Sequence, residues 1–405
     1  MKSSKTATAW AVVIALLIAL AACGYAEEPV NNASAAKKRI YTDCRGHIQS
    51  RPMADVFIMV NGSDKFCGNQ VEEFSAERIV TMLDEAGLDR AFILSEAYML
   101  GMDRIAGPDE YNDVKKENNY LAIQCAKYPE RLIGFFGVNP LKDYAIKEVD
   151  RCYHELKLPG LKLHFDNSLV DLKNPEHLQK IQELFSHAAR RGIPILLHFR
   201  SEVPEFGKKD AEILINEVIS KSPGLKLQIA HFGGWGGFDE VTEEVILTFI
   251  QAYDKNKDLD KNNIVFDISG VIVTDNERID GILPSTTEEQ GKKIADYIRA
   301  WGIENIVFGS DWCFCSPARY IDNIKRMLPL SEAEIEQILS NDTSIRMFGS
   351  SEIRHPELEE LLKTLKEGID YSVPFSVKLG GWAQRDITVE IIGFFDILIS
   401  KKYMF

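Results

Sequence analysis

From Ile40 onward the chain alternates short, near-continuous apolar runs with longer stretches in which apolar residues return every three or four positions. The short runs are Ile40–Cys44, Leu88–Ser95, Leu132–Asn139, Gly160–Phe165, Pro194–Phe199, Lys226–His231, Asn263–Ile268 and Asn305–Gly309. They are rich in Val, Ile, Leu and Phe and do not alternate strictly, which predicts parallel strands covered on both faces. The longer stretches, Ser75–Ala86, Tyr111–Lys127, Tyr144–Leu156, Pro175–Arg191, Asp210–Ser220, Asp239–Tyr253 and Thr287–Trp301, predict amphipathic helices. Eight such strands predict an α/β fold, the closed (β/α)8 TIM barrel, which takes ~250 residues. The open doubly wound sheet competes, but no G-x-G-x-x-G turn follows the first strand to favour it.

Pro317–Met327 and Ser331–Leu339 continue the helical pattern, the second with Ser331 and Glu334 spaced as a capping box, and complete the outer ring. Leu358–Glu367 predicts one more helix. The apolar run Ile387–Ile399 is shorter than the ~20 residues of a membrane span, so it packs on the barrel or on a second copy of the chain, as in a homodimer. Between Arg45 and Phe74 the first connection runs for roughly thirty residues, a length that suits a lid over the barrel mouth.

Ahead of the barrel, Lys2 and Lys5 precede an apolar stretch from Ala9 to Ala22, the pattern of an export signal. Its end, Leu20–Ala21–Ala22–Cys23, resembles the bacterial lipobox, which implies cleavage before Cys23 and a diacylglycerol on its thiol. Gly24 rather than Asp in the next position implies sorting to the outer membrane, with the protein on the periplasmic side. Glu27–Lys38 reads as a polar tether. The expected organisation is a signal peptide over 1–22, a tether over 23–39, the barrel over 40–349 and a C-terminal extension over 350–405.

The formal net charge is −14, and losing the leader with its two lysines leaves −16. With no dense basic block, nucleic acid and an anionic membrane face are excluded as main partners, and a small-molecule substrate remains. Six cysteines follow Cys23, and an even count in an oxidising compartment permits disulfides. Barrel closure sets strand eight beside strand one, so Cys313 and Cys315 are expected near Cys67 of the lid, with one Cys67 disulfide.

Candidate chemistry collects at the strand ends. Period-two alternation puts Asp43, Arg45 and His47 on one face of the first strand, Lys162 and His164 on the fourth, and His198 and Arg200 on the fifth. His231 ends the sixth, Asp267 and Ser269 the seventh, and Gly309 and Asp311 the eighth. Inward polar side chains at so many converging strand ends are unfavourable unless they meet a ligand or one another, which points to a metal or acid–base site.

The runs Gly160–Leu161–Lys162–Leu163–His164, Ile195–Leu196–Leu197–His198, Ile229–Ala230–His231–Phe232–Gly233–Gly234 and Phe308–Gly309–Ser310–Asp311, in this order, resemble the amidohydrolase superfamily. The resemblance is to its amidohydrolase-2 branch, which includes the aminocarboxymuconate-semialdehyde decarboxylases, and covers Ile40–Phe348; Asn341–Phe348 is similar to the family's closing helix. It implies a divalent metal, usually zinc, held by His47, His198 and Asp311, with His231 and Asp311 as catalytic residues moving protons. The pattern departs at Asp43–Cys44–Arg45–Gly46–His47, where Arg45 stands in place of the first ligand histidine. A guanidinium has no lone pair to give. Arg45 is therefore expected either to swing out and clamp an anionic substrate beside a three-ligand metal, or to pair with Asp311 in the metal's place. The three retained ligands favour the clamp.

Lys162, His164 and Arg200 are candidate substrate-binding groups beside Arg45, with Lys162 a fixed cation near the mouth. The leading expectation is a metal-dependent hydrolase of a small amide, ester or lactone. Non-oxidative decarboxylation of an unsaturated or aromatic acid is the alternative. A non-catalytic binding lipoprotein that has lost its metal is the third reading.

Growth with labelled palmitate is expected to mark the wild-type protein and not Cys23→Ser. Label that persists in Cys23→Ser would exclude lipidation at this residue.

Overall fold

A computed structural model describes residues 39–66, 69–256, 259–278, 283–341 and 358–366. The chain divides at Arg39, and the barrel belongs to the second unit, Ile40–Phe405. Eight parallel strands form one sheet in chain order: β1 (Thr42–Ile48), β2 (Arg90–Ser95), β3 (Leu132–Gly137), β4 (Gly160–His164), β5 (Ile195–His198), β6 (Leu227–Ile229), β7 (Ile264–Asp267) and β8 (Ile306–Val307). Backbone bonds join β1 to the segment after β8. Cys44 N donates to Phe308 O, His47 N to Trp312 O and Asp311 N to Arg45 O, each at 2.8 Å. The predicted TIM barrel is therefore the fold, and most strands end earlier than the apolar runs because the last residues leave the ladder for the site.

Helices follow the strands: α1 (Arg51–Asn61), α2 (Ala76–Ala86), α3 (Glu110–Lys127), α4 (Ala145–His154), α5 (Pro175–Arg191), α6 (Lys208–Ile213), α7 (Glu240–Lys255), α8 (Glu288–Trp301), α9 (Pro317–Met327) and α10 (Glu332–Ser340). Their starts are set by local chemistry. Asn174, Asp239, Thr287 and Ser331 each accept an N–H of the first turn, and Ser331 with Glu334 closes the expected capping box. After α6 the chain continues as a π-helical turn over Leu214–Ile219. A small apolar cluster including Phe92, Phe135, Leu196 and Val307 fills the barrel interior, and a much larger one lies between sheet and helices.

The first connection departs from expectation. β1 runs on to Ile48, and α1 occupies the middle of the predicted lid. Its signals are legible in retrospect: Ser50 caps Met53 N at 3.3 Å, Pro52 sits in the first turn, and Met53 and Val56 are buried. Cys67 of the expected disulfide, the residues after Asn341 in the closing helix, and the run Ile387–Ile399 lie outside the described residues. Asn341 itself bonds Ile303 O at 2.7 Å and also Ile306 O, holding the chain beneath β8. A further helix, α11 (Leu358–Lys366), packs on α3 through buried Leu361 and Leu365. Among the described residues no helix is long and apolar enough to cross a membrane.

Glu117 of α3 ties α1 to the barrel by accepting from Ser50 N at 3.0 Å and from the Ser50 hydroxyl. Burial pushes its carboxyl up to about 7, above its ordinary 4.5, against the opposing effect of the Ser50 bonds. A raised folded-state value means the native protein holds this proton while the unfolded chain has lost it, so this group's contribution to stability falls as pH rises from about 4.5 to about 7. Glu117→Gln is expected to flatten that fall, read as a smaller drop in urea midpoint between pH 5 and pH 7.5. An unchanged drop would assign the pH dependence to other groups.

Candidate active site

The strand ends enclose a cavity of about 310 Å³ lined by Arg45 and His47 of β1, His164 of β4, His198 of β5, His231 after β6 and Asp311 after β8. Asp311 is at its centre. Its Oδ1 accepts from Arg45 Nε at 2.7 Å and lies 3.1 Å from His47 Nε2, while its Oδ2 faces His231 Nε2 at 3.8 Å. Burial alone would raise the Asp311 pKa, but Arg45, His231 and His47 outweigh it and hold the carboxyl well below its usual range. Arg45 is 2% exposed; burial opposes its charge, and Asp311 and Asp267 more than restore it.

His231 is oriented from behind. Its Nδ1 meets the carbonyl oxygen of Ser269, which can only accept, so Nδ1 carries the proton. Nε2 of the neutral ring then presents a lone pair toward Asp311. Asp267 holds the frame by accepting from His231 N at 3.0 Å, from the Ser269 hydroxyl and from Gln228 Nε2 at 2.8 Å. Burial first, and Arg45 second, lower the His231 pKa. Both His231 and Asp311 adopt φ of 55°, a left-handed conformation uncommon for residues with a Cβ, so the two facing groups sit on constrained turns.

The other predicted residues divide. Asp43 does not share the inward face, because β1 shifts register between Asp43 and Gly46. Its carboxylate instead accepts from Ser310 N at 2.9 Å, the Ser310 hydroxyl at 2.6 Å and Arg45 N at 3.1 Å. His164 stacks on His198 with ring centroids 3.9 Å apart, and neither nitrogen of His198 has a hydrogen-bond partner among the described residues. Lys162 does not stand at the mouth. It is fully buried, does not line the cavity, and its amine has no hydrogen-bond partner among the described residues. Burial, then Arg45, push its pKa well below the ordinary value. Arg200 turns away to Asp239 Oδ2 at 2.6 Å and also leaves the cavity wall.

Sequence reasoning missed Glu96 and Tyr98, just past β2. Glu96 Oε1 faces His47 Nδ1 at 3.4 Å, and burial, reinforced by Glu117 and Asp311, pushes its pKa up to about 8. Tyr98 stacks on His164 at 5.0 Å between centroids. The available signal was a polar residue, Glu96, ending an apolar run just as Asp311 does.

The zinc ion implied on His47, His198 and Asp311 does not fit this arrangement. Among the described residues no three His, Cys, Asp or Glu side chains have an arrangement that would hold a metal ion. One of the two Asp311 oxygens, Oδ1, already carries Arg45 Nε and His47 Nε2. Two unit cations 4 Å apart repel by about 4 kcal/mol at an effective dielectric constant of 20, and a divalent ion would double that. Of the two expected placements of Arg45, the pair with Asp311 is the one adopted, and the outward clamp is not. A guanidinium in a dry seam is held by the carboxylate beside it.

A family model described as amidohydrolase matches residues 42–349. Solved structures of similar fold include 5-carboxyvanillate decarboxylase from Sphingomonas paucimobilis, with TM-score 0.53, 14% identity, and coverage of 77% of this chain and 99% of that one. For 2,6-dihydroxybenzoate decarboxylase from Rhizobium the values are 0.52, 16%, 77% and 99%. For 5-carboxyvanillate decarboxylase from Novosphingobium aromaticivorans, complexed with manganese and 4-hydroxy-3-methoxy-5-nitrobenzoic acid, they are 0.52, 15%, 76% and 96%. At these identities the likeness is one of fold.

Asp311→Asn leaves Arg45 as a buried cation without its counter-charge, and is expected to destabilise the barrel by about 3–5 kcal/mol. Denaturant titration checks this, and an unchanged midpoint would show that the pair adds nothing to stability.

Proposed function

The chain belongs to the amidohydrolase family and is an enzyme of that type, and from this premise we propose that it hydrolyses a small, planar ester, lactone or amide bearing a carboxylate. The observation that carries the reading is the His231 tautomer, which sets a lone pair at Nε2 with Asp311 Oδ2 3.8 Å away. A neutral imidazole so placed is a general base, and the carboxylate beside it stabilises the imidazolium it becomes. On the other side of Asp311, Glu96 holds its proton at neutral pH and supplies the acid.

In this mechanism a water attacks the substrate carbonyl carbon and gives its proton to His231 Nε2. The carbonyl electron pair moves to the oxygen, which takes a hydrogen bond from Arg45 Nη1, a buried donor with no other partner among the described residues. Collapse of the tetrahedral species breaks the bond to the leaving group, whose oxygen or nitrogen takes the Glu96 proton. The proton on His231 returns to Glu96 through solvent before the next turnover. The arrangement of His47, Arg45 and His231 around Asp311 keeps that carboxylate ionised throughout.

Decarboxylation is the second reading, favoured by the aromatic wall of the cavity, which includes Tyr98, Phe74, Trp235 and Phe314. Loss of carbon dioxide from an aromatic acid consumes one proton at the ring carbon, and protonated Glu96 is a donor for it. The solved decarboxylases named above lend this reading their substrate class, aromatic carboxylates. The enzyme's place is part of the same proposal: a periplasmic lipoprotein held by a diacylglycerol on Cys23 to the outer membrane.

A panel of small carboxylate-bearing esters, lactones and amides, assayed beside aromatic acids with detection of released carbon dioxide, separates the two reactions. Hydrolysis is expected, with kcat lowered about 10²–10⁴-fold in His231→Gln and KM changed far less. Carbon dioxide release without hydrolysis would replace the first reading with the second.

A further inference from the structure

We infer that Arg45 is the resident cation of this site, doing for Asp311 and for the substrate oxygen what a divalent ion would do at the same position, and that the working enzyme holds no metal there. The position is built for the side chain. Arg45 N donates to Asp43 Oδ1 at 3.1 Å and Arg45 O accepts from Asp311 N at 2.8 Å, so the backbone is held on both strands of the closing seam. Gly309 gives the side chain its room: a Cβ there would come within 2.8 Å of Arg45 Cβ and 3.1 Å of Ser269 Cβ. The guanidinium then meets Asp311 through Nε at 2.7 Å, while Nη1 of this cavity-lining residue has no partner among the described residues. One planar group thus neutralises the carboxylate with one nitrogen and keeps another for a ligand, a division of labour its fork of donors allows.

Arg45 replaces only part of what a metal supplies. A guanidinium polarises an oxygen and offsets charge, but it does not coordinate a water oxygen and activate it by lowering its pKa, as a metal ion does. The nucleophile must then be made by His231 alone. This consequence rests on the hydrolytic reading and narrows it: the substrates are esters or lactones, whose carbonyls and leaving groups are more reactive than those of amides.

The full-length protein, incubated with excess zinc or manganese and then desalted, is expected to retain far less than one ion per chain, and its melting temperature to be the same with zinc, manganese or chelator. Arg45→His, which restores the imidazole of the family pattern, is expected to retain close to one ion per chain. Stoichiometric metal in the wild type, or a rise in its melting temperature with either ion, overturns the inference. So does a folded Arg45→His that stays as metal-poor as the wild type. Should Arg45→His fail to fold, the two wild-type measurements decide alone. These readouts need no substrate, so they stand even if no hydrolysis is found. Turnover of esters with none of matched amides supports the narrowed substrate class, and equal turnover of both removes it.

Discussion

The ion pair between buried Arg45 and partly buried Asp311 joins the two ends of the sheet, and the site is arranged around it. Where β8 returns to β1, Asp311 N bonds Arg45 O and Arg45 Nε bonds Asp311 Oδ1, so closure of the backbone ring and neutralisation of the central carboxylate occur at the same residues. Asp43 and Ser310 fasten the next positions of the same seam. A carboxylate left alone in so dry a place would take up a proton, and a lone guanidinium would be strongly unfavourable. Each is tolerated because the other is there.

The charge of this pair sets the state of its neighbours. Burial lowers the proton affinity of His47, His164, His198 and His231, and the Arg45 charge lowers it further, so the imidazole cluster stays neutral. Glu96 moves the other way, since burial and the nearby carboxyls hold its proton on. Neutral bases and a protonated acid lining one cavity are the condition for acid–base chemistry at neutral pH, produced here largely by low dielectric. Asp267 has a different part: its hydrogen bonds are spent on the backbone and on Ser269 and Gln228, and they fix the plane in which His231 works.

A family pattern of ligands fixes where the side chains stand and not what each one contacts. His47, His198 and Asp311 stand at the strand ends where the resemblance puts them, yet His198 stacks on His164 and Asp311 is engaged by Arg45. Lys162, buried outside the cavity wall, gains no hydrogen-bond partner among the described residues and is driven toward its neutral form. The family motifs place the side chains, and their contacts decide what each is free to do.

What the sequence determined by itself was whatever depends on local pattern. Continuous apolar runs marked the eight strands, and capping residues such as Ser331 and Thr287 marked helix starts, because neighbouring residues along the chain suffice to form these features. The strand-end positions of His47, His198, His231 and Asp311 followed from the same runs. Tertiary structure alone decided the contacts. Arg45 and Asp311 are 266 positions apart and meet only because the barrel closes. The register shift in β1 that turns Asp43 toward Ser310 leaves no trace in alternation. Glu96 looked like the polar end of one more strand until burial and neighbouring carboxyls made it an acid. Proton affinities and pairings depend on which groups are brought together and how far water is excluded from them, and both are properties of the folded chain.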